Sequence, residues 1–152
     1  MGPMLWRFLV MDDETVDLFL VRDIDDRFTV RDSLCVQSWI RSGKTLHCTR
    51  DHQSHLKYRL MGGMFGARRR ELKNRCGNET YSTRMRKYNN GYFADMNYLD
   101  KHIWPCVAPR EVDCCDRHSW GTWPGSHPFP LLPDPGSFVG IALLAKCYIP
   151  TD

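Results

Sequence analysis

The run Asp17-Leu18-Phe19-Leu20-Val21-Arg22-Asp23-Ile24-Asp25-Asp26-Arg27 constrains the fold of this chain more than any other segment. Its apolar part has the length of a buried strand, and it stops abruptly at three carboxylates. Side chains on a strand repeat every two residues, so an extended backbone would aim Asp23 and Asp25 the same way. In an open α/β sheet, ligands gather beyond the carboxyl ends of strands, where these acids would arrive. Two hard oxygen donors in that position suit Mg²⁺ or Mn²⁺ and, through the ion, a diphosphate. The alternative is an ion-pair cluster on a solvated edge, with Arg22 and Arg27 neutralising the acids without metal.

The flanking segments read as the rest of an α/β domain. Residues 4–10 form the end of a helix or a short apolar element, closed by the acidic turn Met11-Asp12-Asp13-Glu14. Thr29-Val30-Arg31-Asp32 resembles a capping box, and Leu34, Cys35, Trp39 and Ile40 follow at helical spacing before Gly43, which predicts a helix over 31–42. Thr45 to Thr49 alternates as a second strand ending in Arg50-Asp51-His52. Gly62-Gly63-Met64-Phe65-Gly66 is expected to be a flexible loop whose glycines permit close approach to a ligand, with a helix starting near Ala67. A further helix is predicted from Tyr92 to Ile103, ended by Pro105. Beyond it the chain reads as loop-rich: residues 119–137 carry Trp120, Trp123 and five prolines and are expected to be an extended loop packed on the body. Phe138 to Leu144 reads as a last strand or helix.

At 152 residues and 42% hydrophobic, the chain is one domain with a real core. Its formal net charge of +3 is too near balance to point to nucleic acid, and the basic excess between residues 67 and 88 reads as a solvated helical face. No apolar run has the length of a membrane span. Seven cysteines are many for a cytosolic protein of this size, and their odd number leaves at least one unpaired. Asn78-Glu79-Thr80 has the pattern of an N-glycosylation acceptor. Together these features lean towards the secretory pathway, in the Golgi or ER lumen, or outside the cell. The first ten residues lack a signal-peptide layout, and without a targeting segment the location would be cytoplasmic.

Several separated pieces form one familiar set: Leu5-Trp6-Arg7-Phe8, Val21 to Arg27, Arg50-Asp51-His52, Leu60 to Ala67, Ile103-Trp104-Pro105, Pro128-Phe129-Pro130 and Phe138-Val139-Gly140. In order and spacing they resemble the catalytic part of a family of GT-A-type glycosyltransferases, over nearly the entire chain. The resemblance implies a partial GT-A-like mixed sheet with flanking helices and a loop-rich C-terminal part. It also implies transfer of a sugar from a nucleotide-sugar donor to a carbohydrate or glycoconjugate acceptor. Asp23 and Asp25 would hold Mn²⁺ or Mg²⁺ at the end of a central strand, where the cation stabilises charge developing on the departing diphosphate. Arg22 and Arg27 would reach phosphate, Asp51 and His52 the sugar, and Gly62 and Gly63 would form a backbone wall beside it. Asp95 would accept from a sugar hydroxyl or act as base, with Asp116 as a second catalytic carboxylate.

The chain departs from the family pattern at three places. Met96 replaces an expected amide, Cys115-Asp116-Arg117 replaces His-Asp-Ser, leaving His118 to substitute as third metal ligand, and only 22 residues precede Asp23. In the family the nucleotide-binding half comes before the Asp-x-Asp, so the expectation is an N-terminally incomplete or shortened member with weak or absent transfer alone. Three other readings remain beside it. One is a non-catalytic carbohydrate-binding relative. Another is a glycoside hydrolase pairing Asp23 or Asp25 with Asp95 or Asp116. The last is a zinc module built on Cys106, Cys114, Cys115 and His118.

Overall fold

The computed structural model describes residues 2–77, 79–88, 91–107 and 109–141. Asn78, Cys147 and residues 142–144 of the predicted last element lie outside them. The fold is mixed α/β, with a five-stranded sheet flanked by helices on both faces. Strands β1 (Leu18–Arg22), β2 (Leu46–Arg50), β3 (Met64–Arg68), β4 (Val112–Asp116) and β5 (Ser126–His127) stand in the order β1-β3-β2-β4-β5. β3 runs antiparallel to both its neighbours, whereas β2, β4 and β5 are mutually parallel. The ends of β1, β2 and β4 and the start of β3 therefore share one edge of the sheet.

One face carries the main core. Phe19 and Val21 of β1, Leu46 and Cys48 of β2, Phe65 and Ala67 of β3, and Val112 and Cys114 of β4 are buried there. The N-terminal segment Pro3–Asp12 covers this face as a 3₁₀ helix, which is long for its type. Leu5, Phe8 and Met11 recur every third residue, and a helix of three residues per turn stacks all three on one line, each fully buried. Phe8 meets Phe65 edge-on at 5.4 Å between ring centres. Helices α2 (Arg69–Cys76), α3 (Tyr81–Met85), α4 (Ala94–Tyr98) and α5 (Trp104–Val107) complete that layer. The basic run reads as expected, a mostly solvated face, with Arg70, Lys73, Arg75 and Lys87 paired to Asp17, Glu14, Glu111 and Glu79.

The other face is covered by α1 (Val30–Ser42), close to its predicted bounds because both stop signals operate: the Thr29 hydroxyl accepts from the Asp32 amide, and Gly43 takes φ 69°. α1 runs against the direction of β2. Its Arg31 is paired with Asp51 just after β2, and two turns on, Trp39 stacks on His47 at 5.6 Å. Four residues of helix rise about 6 Å and two residues of strand about 6.6 Å, so positions along α1 match alternate residues of β2.

Four expectations need correction. β1 is an edge strand, not a central one, and the backbone turns at once after Arg22, with the Asp26 amide bonded to the Asp23 carbonyl at 3.1 Å. The two-residue period therefore does not carry to Asp25. The expected 62–66 loop is a turn at Gly62-Gly63 followed by β3, because Gly66 lets β1 approach: a Cβ there would lie 2.6 Å from the Phe19 carbonyl oxygen. The helix expected near Ala67 is present and follows β3 directly from Arg69. Pro105 does not end the helical run. A π turn over Leu99–Ile103, with the Trp104 amide bonded to the Leu99 carbonyl, widens the helix enough to admit the proline ring. The region expected to be loops also contains β4, buried at every position.

Candidate functional site

The shared sheet edge holds a cleft of about 480 Å³ on the core side. Asp23 enters from the end of β1, Gly62 and Gly63 from the turn before β3, Asp95 from α4, and Arg7 from the 3₁₀ helix. The glycines determine how these groups meet. A Cβ on Gly63 would fall on the Asp23 carboxylate, and one on Gly62 would fall on that of Asp95. Because adjacent α-carbons are about 3.8 Å apart, the two carboxylates stand within roughly 11 Å of one another. Arg7 donates to Asp23 at 2.6 Å, an ion pair half open to the cleft.

Asp95 is the less accommodated of the two acids. It is 2% exposed, and its Oδ1 is buried without a hydrogen-bond partner. Burial raises its pKa above the ordinary carboxylate value, and Asp23 adds to the rise while the Met96 amide and Arg7 oppose it. A carboxylate in that state gains from any hydroxyl presented to it. Aromatic rings also line the cleft: Tyr58 and Phe93 lie 5.8 Å apart, and the Lys57 ammonium sits 4.9 Å over Phe93. Phe93 and Tyr92 are exposed.

Four of the site residues expected from sequence meet in this cleft: Asp23, Gly62, Gly63 and Asp95. The others are placed differently. Arg22 is bound through two nitrogens to Asp32, both contacts at 2.8 Å, beneath α1. Asp51 is fully buried, bridging Arg31 and the Val139 amide at 2.9 Å. Asp116 pairs with Arg50 at 3.3 Å and accepts from the His118 and Ser119 amides, which makes it the anchor of the turn after β4. His52 caps the short 3₁₀ turn Gln53–Lys57 and stacks on Phe138 at 4.5 Å. Asp25, Arg27 and His118 are exposed. Among the described residues, no group of three His, Cys, Asp or Glu is arranged to hold a metal ion. The proposed zinc cysteine Cys114 is disulfide-bonded to Cys48.

The α1 half of the same edge is closed by the chain itself. Residues 138–140 lie across it, with the Gly140 amide on Asp26 at 3.2 Å and Val139 on Asp51. Sequence reasoning gave no role to Arg7, Lys57, Tyr58 or Phe93. Arg7 had a signal, since it is the polar residue between the buried Leu5 and Phe8 of one of the segments carrying the resemblance. The chain matches no family model, no curated protein and no solved structure.

Proposed function

We propose that this chain is a glycosyltransferase-like domain that binds the sugar of a nucleotide-sugar in the Asp23–Asp95 cleft. The observation that carries the reading is the convergence of two carboxylates, one buried with an unpartnered oxygen, on a pair of glycines in a cleft that is also lined by aromatic rings. Carboxylates accept from sugar hydroxyls, and an aromatic face packs against the apolar C–H face of a sugar ring. Asp95 is the group to take the proton of an acceptor hydroxyl, since a raised pKa brings a carboxylate nearer the working range of a general base. Arg7, held in place by Asp23, has further N–H groups to offer a phosphate.

A resident divalent cation does not fit these residues. One Asp23 oxygen is engaged by Arg7, and Asp25 lies exposed in the turn beyond. The positive charges at the cleft are that guanidinium and the Lys57 ammonium.

The test is calorimetric titration of the purified protein with a panel of nucleotide-sugars and free sugars, in chelator and in Mn²⁺. Binding in chelator that Asp95→Asn and Asp23→Ala each weaken by about tenfold or more supports the proposal. No binding to any member of the panel, or equal binding by both variants, removes it. Binding that appears only with Mn²⁺ restores the Asp-x-Asp metal site. The burial of Asp116 in its pair with Arg50 favours, as a second reading, a carbohydrate-binding relative without turnover. Sugar binding with no product formed would identify it.

A further inference from the structure

Among the described residues, four buried or half-buried thiols stand outside the cleft and take no part in the proposed chemistry: Cys35, Cys76, Cys106 and Cys115. Their placement is not scattered. Cys114 and Cys115 are neighbours on β4 and so project to opposite faces of the sheet. Cys114 faces the main core, where it is bonded to Cys48 on the adjacent strand. Cys115 faces α1. Arg31 sits at Asp51 and Trp39 at His47, so Cys35, midway between them on the helix, falls level with Thr49, whose partner across the β2–β4 ladder is Cys115. The Cys35 and Cys115 thiols face one another, both fully buried.

The second pair closes the opposite layer. Cys76 is the last residue of α2 and Cys106 lies in α5, two helices packed together against the core. These thiols also face each other.

We propose that Cys35–Cys115 and Cys76–Cys106 are disulfides alongside Cys48–Cys114, so that six of the seven cysteines are paired and the chain matures in an oxidising compartment. Each bond forms when two thiols lose two protons and two electrons to a disulfide oxidant of the glutathione or dithiol-oxidoreductase class, which leaves as two thiols. The contact with the Cys115 thiol, and then burial, push the Cys35 thiol up, and burial does the same to Cys76, so the attacking thiolate is scarce once the chain has closed. The bonds therefore form during folding and not as a later switch. This assignment is independent of whether the cleft binds sugar.

The test starts from reduced, unfolded full-length chain, refolded in a mixture of oxidised and reduced glutathione, alkylated, and digested with trypsin without reduction. The expected map joins peptide 76–84 to peptide 102–110, and links 32–41, 45–50 and 111–117 as one three-peptide species. Recovery of Cys35, Cys76, Cys106 or Cys115 as alkylated thiols, or joined in any other pairing, overturns the proposal. A second readout concerns Cys76→Ser, Cys106→Ser and the double variant. One shared bond gives all three the same loss of melting temperature, whereas two thiols that merely pack give losses that add, which would also overturn it.

Discussion

Replacement of Arg22 by alanine distinguishes a structural residue from a ligand residue, since the sequence reading placed this guanidinium on phosphate. In the fold its Nε and Nη2 each lie 2.8 Å from one oxygen of Asp32, which is fully buried, and Nη1 donates to the Val21 and Phe65 carbonyls. Arg22→Ala strands the Asp32 carboxylate without a partner, and removing one member of a buried pair costs about 3–5 kcal/mol. For a chain of this size that is a fall in Tm of roughly 6–20 °C, or of about 1.5–2.5 M in the urea midpoint at an m-value near 2 kcal/mol/M. The double variant Arg22→Met/Asp32→Leu removes both charges and is expected to recover to within about 1 kcal/mol of the parent, since a buried pair exchanged for apolar residues is often neutral. Urea denaturation followed by circular dichroism measures both. The reasoning is refuted if Arg22→Ala keeps the parental midpoint and loses nucleotide-sugar binding instead.

Gly63→Ala is expected to displace the Asp23 carboxylate and weaken sugar binding about tenfold or more. The fall in stability stays near 1 kcal/mol because the displaced group is half exposed, and calorimetry with parallel denaturation separates the two effects. Asp95→Asn should lower sugar affinity by roughly 10- to 100-fold with stability unchanged or improved, and wild-type binding should weaken as pH falls through the raised pKa of Asp95, a dependence absent in the variant. Asp113 holds the His127 pKa up at about 9. Its contribution is complete below the unfolded value of about 6.5 and lost as pH rises through about 9. The group is half-buried, so solvent screening reduces the effect to about 1–2 kcal/mol. His127→Gln should flatten that limb of the stability curve. His55 gives the opposite sign: its Nδ1 accepts from the Asp51 and His52 amides, and burial lowers its pKa to about 4. That contribution is present above about 6.5 and is lost as pH falls through about 4, which denaturation at acid pH reads directly.

Local patterns were legible and long-range partners were not. β1, α1 and β2 follow from an apolar run, a threonine cap and a glycine stop, all of which act within a few residues. β4 was hidden because Val-Asp-Cys-Cys-Asp has neither alternation nor a continuous apolar run. Its acids are buried only because His127 and Arg50 meet them from elsewhere in the chain. The same limit shaped the site. Asp51 was placed at the end of β2, where it lies, and Asp116 was expected at the site from a segment read as loop, yet Arg31 and Arg50 engage them, and no local spacing announces that. Asp23 and Asp95 line the cleft free of ion-pair partners that would bury both, because the groups beside them are glycines, a signal that can be read from sequence once the turn is known to face a ligand.

The seating of α1 on β2 works as a pair of rulers with different divisions. Four helical steps fall short of two strand steps by about 0.6 Å, so after Arg31–Asp51 and Trp39–His47 have been matched the error is absorbed, but a third such interval would begin to miss. Evolution can therefore lengthen neither element alone without losing a rung. A single residue inserted between Arg31 and Trp39 would turn one end of the helix by about 100° relative to the other, so that only one of the two rungs could stay matched. Extra residues would leave both rungs matched only in the turn at Gly43 and in the approach before Thr29, which lie outside the matched interval.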